Sequence, residues 1–133
     1  MCLTTKQKYK MSTKDLKLSK IANDYYQECT GTENYYKHNL AIHFTDGIKE
    51  VADKEECYWL IDVVASYSTV KFKETNPFQV WQLKRIKGNK FKVSCEDGNE
   101  NILITQNIPF SDFKYDEIKM FLVDGILMLP SEY

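Results

Sequence analysis

At 133 residues, the chain is long enough for one domain and too short for two ordinary ones. Its 43% hydrophobic residues can bury a single sizeable core, and the 14% aromatic residues make rings the main payload of that core. A net charge of −1 excludes a global field drawing the chain to nucleic acid or membrane, so any such attraction must be local.

Residues 1–12 are lysine-rich and read as a flexible arm ahead of a single domain over 13–133. Nothing there forms a secretory apolar region. The longest apolar stretch, 58–65, is interrupted by Asp62 and is too short to span a bilayer. A cytoplasmic protein without membrane association is therefore expected. Cys2, Cys29, Cys57 and Cys95 are far apart and none sits in a CxxC pair, so four reduced thiols and no bound metal are expected.

Ser12 or Thr13 can cap a first helix that buries Leu16, Ile21 and Tyr25, with Gly31 ending it. Thr32 can cap a short helical turn holding Tyr35, Tyr36 and His38. Thr45 or Asp46 then opens a second helical region in which Ile48, Val51 and Ala52 recur at helical spacing. The charged stretch 53–56 is either a solvated face or a brief break. Residues 58–67 are apolar nearly all round, as in a helix buried against a sheet, with Trp59 and Leu60 in the core. Asn76-Pro77 marks a boundary, after which the period becomes two.

Strands follow over 78–86, 90–95 and 102–106, separated by Lys87-Gly88-Asn89 and Asp97-Gly98-Asn99. Phe91, Val93 and Cys95 share one face of the second. Pro109 interrupts before a loop or short helical turn. The clearest signal is a hairpin over 118–129 closed by Asp124-Gly125, which supplies the positive φ angles of a tight primed turn. Its strands are apolar on both faces except at Lys119, which predicts cover on both sides; Pro130 should stop the last strand or place it at an edge. Together these elements predict an α+β fold. N-terminal helices pack on a four- or five-stranded antiparallel sheet in which a meander ends in the C-terminal β-hairpin.

The chemistry-bearing residues are few. His38 and His43 are the only histidines, and with Asp46 and Asp62 they could build an unfamiliar acid/base site. Their five-residue spacing does not suit a helical ligand pair, and surface or structural roles are the plainer reading. Cys57 follows Glu55 and Glu56, which would raise its pKa, so a buried inert thiol is expected. Asp62 is expected to find a structural partner. Trp81, Lys84, Arg85, Lys87, Lys90 and Lys92 form a basic hairpin with Phe91 nearby, a combination of cations and rings that single-strand nucleic-acid binders use. A hairpin tip is also charged simply to guard a sheet edge. No Walker loop, GxGxxG, HExxH, GxSxG or zinc-spaced cysteine set is present, so no catalytic, cofactor or metal residues are assigned.

Several stretches together carry a resemblance: Phe44-Thr45-Asp46-Gly47-Ile48-Lys49, residues 58–67, Phe78-Gln79-Val80-Trp81, and Asp124-Gly125 through Ser131-Glu132-Tyr133. Thr30-Gly31-Thr32-Glu33 and Cys95-Glu96-Asp97-Gly98-Asn99 fit as well. The chain resembles a small domain family of unknown function from bacteria, plasmids and phages, over roughly residues 20–133. The resemblance supplies no catalytic residues. It implies a freestanding intracellular protein of mobile-element origin that binds a protein partner, with inhibition of a bacterial defence complex as one such role. The other readings are a single-stranded nucleic-acid binder using the basic hairpin, and an enzyme with an unrecognised site. Homodimerisation is a further expectation, from the apolar C-terminal hairpin.

Overall fold

The computed structural model describes residues 20–38 and 42–133. The lysine-rich arm and the proposed cap at Ser12 or Thr13 lie outside these residues. The elements are α1 (Ala22–Tyr25), β1 (Tyr35–Lys37), β2 (His43–Thr45), α2 (Asp46–Glu55), α3 (Tyr58–Ser66), α4 (Val70–Thr75), β3 (Phe78–Lys87), β4 (Lys90–Glu96), β5 (Ile102–Ile108), β6 (Glu117–Val123) and β7 (Ile126–Met128). A 3-10 turn, Pro130–Glu132, closes the chain.

The fold is α+β, but the sheet has seven strands rather than four or five, ordered β1-β2-β7-β6-β3-β4-β5. Nor is it wholly antiparallel. Phe44 lies opposite Leu127 in a parallel β2–β7 pair, and every other pair of strands is antiparallel. Helices do not all precede strands, because β1 and β2 come before α2. The short helix expected around Tyr35 and Tyr36 is instead β1, held to β2 by the Tyr36–Phe44 register. Of the expected first helix, the described residues contain only α1, which is preceded by extended Ile21 and ends at Tyr25, before Gly31.

The central helical region forms as its spacing predicts. The Thr45 hydroxyl accepts from the Ile48 amide at 3.3 Å, and Ile48, Val51 and Ala52 are buried along one stripe. Glu56 adopts a left-handed conformation (φ 52°) and breaks the helix there. α3 then buries Leu60, Ile61, Val64 and Ala65. Leu60 is in the core, whereas Trp59 is half-buried and packs at the rim. α4, before Asn76-Pro77, has no buried residue and was not apparent from hydrophobic spacing.

Period two organises the sheet. Trp81, Leu83, Phe91, Val93, Cys95, Ile118, Met120, Leu122 and Leu127 are buried on the helix-covered face. Asp124 (φ 50°) and Gly125 (φ 81°) make the two-residue turn between β6 and β7. β7 ends at Met128, and Pro130 starts the 3-10 turn. The second face of this hairpin is less covered than its composition predicts. Phe121, Val123, Ile126 and Met128 are half-buried. The Tyr133 ring partly shields them, with its centroid 5.5 Å from Phe121 and 5.7 Å from Phe78.

Candidate binding surface

The β3–β4 ladder sorts the residues of the basic hairpin by face. Because side chains alternate, the outward positions beside buried Leu83, Phe91 and Val93 carry Lys84 and Lys92, which lie directly opposite each other. Lys87 and Lys90 pair at the tip, where Gly88 (φ 57°) makes the turn. All four lysines are exposed. Like charges directly opposite one another in a ladder are destabilising. Glu117 faces Lys84 from β6, but its carboxylate accepts from the Gln82 amide at 2.7 Å.

The other two residues of the expected site are not on this surface. Trp81 is completely buried, and its indole N–H donates to Gln79 Oε1 at 2.8 Å. A ring with no exposed face cannot stack a base. Arg85 is a brace: its Nε donates to Asp116 Oδ1 at 2.8 Å, and Nη2 donates to the Phe113 and Tyr115 carbonyls at 2.9 and 3.2 Å. Nη1 donates to the Gly88 carbonyl, and the guanidinium lies 4.6 Å from the Phe91 ring centroid. Phe91 is itself buried. What sequence reasoning missed is Phe110. It is 66% exposed and precedes Ser111, whose amide donates to the Asn89 carbonyl at the hairpin tip, 2.9 Å away. Ile86, 58% exposed, lies on the same hairpin. No local pattern marks either as exposed, since the run Ile108-Pro109-Phe110 reads equally well as core.

His38 and Asp62 do come together, with Nε2 and Oδ1 2.6 Å apart, joining the β1 end to α3. Asp62 thus has a partner, but it is a histidine rather than a lysine or arginine. His43 is exposed on β2, and Asp46 is engaged elsewhere. The Asp46 carboxylate accepts from the Glu33 and Asn34 amides at 2.9 and 3.2 Å and from the Tyr36 hydroxyl at 2.8 Å. Burial alone would raise its pKa, but these donors outweigh it and hold the carboxyl well below the usual range. Next to it, Glu132 accepts from Thr45 Oγ1 at 2.7 Å, the Gly47 amide at 3.0 Å and the Leu129 amide at 2.9 Å. Burial nevertheless keeps this carboxyl above its ordinary pKa. Both acids have their hydrogen-bonding capacity directed at the protein's own backbone and caps, which is a structural arrangement.

Cys57 and Cys95 are buried free thiols, each pushed up to about 12 by burial and nearby carboxylates, which suits inert side chains. The expectation of four free thiols fails at Cys29, which is disulfide-bonded. Among the described residues no group of three His, Cys, Asp or Glu could hold a metal ion. None of their helices is long and apolar enough to cross a membrane. A shallow, open depression lies beside α4, lined by Thr69, Lys71, Phe72, Thr75 and Asn76.

These features define a small α+β module whose most distinctive surface is an outward lysine cluster on the β3–β4 hairpin. The chain belongs to a family of unknown function, DUF6876, whose model matches residues 20–133. No curated protein and no solved structure matches it.

Proposed function

We propose that the chain is a protein-binding module that docks an acidic partner surface on the outward face of β3–β4. The observation that carries this reading is the set of four exposed lysines, Lys84, Lys87, Lys90 and Lys92, held in two directly opposed pairs. Such an arrangement costs stability in the free protein, and an acidic surface would relieve it. Ile86 and Phe110 supply apolar contact beside the cations, as an interface centre requires.

A single-stranded nucleic acid is the second reading, because lysines also bind phosphate. It is weakened by the burial of Trp81 and Phe91, which leaves Phe110 as the exposed ring next to the hairpin tip. Stacking platforms ordinarily use several rings. The wider proposal is that this module acts stoichiometrically, as an inhibitor of a bacterial defence complex carried on mobile DNA. The lysine face then implies docking on an acidic surface of that complex, not mimicry of its nucleic acid.

Affinity capture from nuclease-treated host lysate tests the reading. A variant with Lys84, Lys87, Lys90 and Lys92 all replaced by Glu should fold normally and lose the protein captured by the wild type. Undiminished capture by this variant would refute the docking face. Loss of capture on nuclease treatment alone would transfer the assignment to nucleic acid.

A further inference from the structure

We infer that β5 is a pairing edge for a second copy of this chain. This inference is independent of the partner docked on the lysine face. β5 ends the sheet, with β4 on one side and no strand of the described residues on the other. Its seven residues, Ile102-Leu103-Ile104-Thr105-Gln106-Asn107-Ile108, contain no charge and no proline. Sheet edges are normally guarded by lysine, proline, bulges or short length. The opposite edge, β1, follows that rule: it is three residues long and carries Lys37. On β5 the one irregularity is a register shift near Leu103, and residues 104–108 pair regularly with β4.

The argument for a second copy, rather than another strand, is self-complementarity. A two-fold axis through Thr105 pairs β5 with itself in antiparallel register. Thr105 then lies opposite its own copy and Ile104 opposite Gln106, while the register shift at Leu103 turns Ile102 to the outward face. Ile102 is 59% exposed and Phe110 66% exposed, and they flank opposite ends of this strand. The same axis brings the Ile102 end of one copy to the Phe110 end of the other, so each copy offers an apolar residue to the other. No charge enters the seam. The two copies of Lys92 stand three strand spacings apart and are offset by four residues along the strand, about 20 Å in all, which is beyond the Debye length at physiological salt. The axis is perpendicular to the sheet, so both lysine faces point the same way. A ladder of this length with a few apolar contacts is at the small end of specific interfaces, so the dimer forms in a concentration-dependent manner.

Sedimentation of the full chain across a concentration series tests the inference. The wild type should move from 15.7 kDa towards twice that mass. Thr105→Lys sets two ammonium groups against each other at the axis and should weaken dimerisation about tenfold or more. Ser94→Lys, one strand inward, should leave it unchanged. Should Thr105→Lys fail to fold by circular dichroism, Asn107→Lys, also exposed on β5, takes its place. A wild type that remains monomeric at several hundred micromolar leaves the edge to some other strand and overturns the inference. So does a folded β5 lysine variant that dimerises as tightly as the wild type.

Discussion

Gly47 and Glu132, 85 positions apart, are in contact that leaves no room for a side chain: the Gly47 amide donates to Glu132 Oε2 at 3.0 Å. A Cβ added to Gly47 would fall 2.5 Å from Glu132 Oε1. The first turn of α2 is thus capped both by its own Thr45 and by the C-terminal turn. Gly47→Ala should destabilise the fold by about 1–3 kcal/mol, through overpacking. Glu132→Ala should also destabilise it, by leaving the Leu129 and Gly47 amides without their acceptor. The double variant should cost clearly less than the sum, because removing Glu132 removes the clash. Denaturant unfolding of the four proteins measures the coupling, and strict additivity would show that the contact is unimportant.

Asp46 should contribute to acid sensitivity. Its folded pKa is depressed by the donors from Glu33, Asn34 and Tyr36 against the effect of burial. A depressed carboxyl stabilises the fold at pH values above its ordinary 3.8 and loses that contribution as pH falls below it. Glu132, whose pKa is raised by burial, has the opposite sign: its ionised form costs stability, and protonation relieves that cost as pH falls. Asp46→Asn turns an amide donor towards amides that need an acceptor, and should cost about 1–3 kcal/mol at neutral pH. The gap between variant and wild type should narrow below pH 3.8. Unfolding curves at pH 7, 5 and 3 test this, and a constant gap would contradict it.

Arg85 and its lysine neighbours should separate cleanly. Arg85→Ala removes the donors that tie β3 to Asp116, Phe113 and Tyr115, and should cost about 2 kcal/mol. Arg85→Lys should not restore the loss, since one ammonium cannot reproduce the planar fork. Replacing Lys84 or Lys92 by Ala should shift stability by no more than about 0.5 kcal/mol, because both are exposed. Thermal unfolding distinguishes the two classes. Equal effects at all these positions would remove the distinction between the bracing arginine and the exposed lysines.

Local signals were read correctly where the structure is local. Asp124-Gly125, Gly88 and Asn76-Pro77 each mark a turn or boundary where the chain makes one, and Thr45 caps α2. The alternation of Phe91, Val93 and Cys95 identified an inward face. The failures are long-range. β2 is only three residues long and is a strand because β7, some 80 positions later, accepts it in parallel. No turn signal records such a pairing. Tyr35-Tyr36-Lys37 has no helical or strand period of its own and becomes β1 by pairing with β2. The basic hairpin was located, but composition could not tell an outward lysine from the bracing Arg85, or an exposed ring from buried Trp81. Trp81 is placed by its register against Met120 of β6, and Arg85 by its bonds to Asp116, Phe113 and Tyr115.

Zero-length carbodiimide cross-linking in host lysate, read by mass spectrometry, tests the central claim most directly, because it joins lysine amines only to carboxylates in contact with them. The account predicts intermolecular links from Lys84, Lys87, Lys90 or Lys92 to Asp or Glu residues of another protein. Links to other proteins that run only through lysines elsewhere, such as Lys37, Lys71 or Lys114, would contradict it.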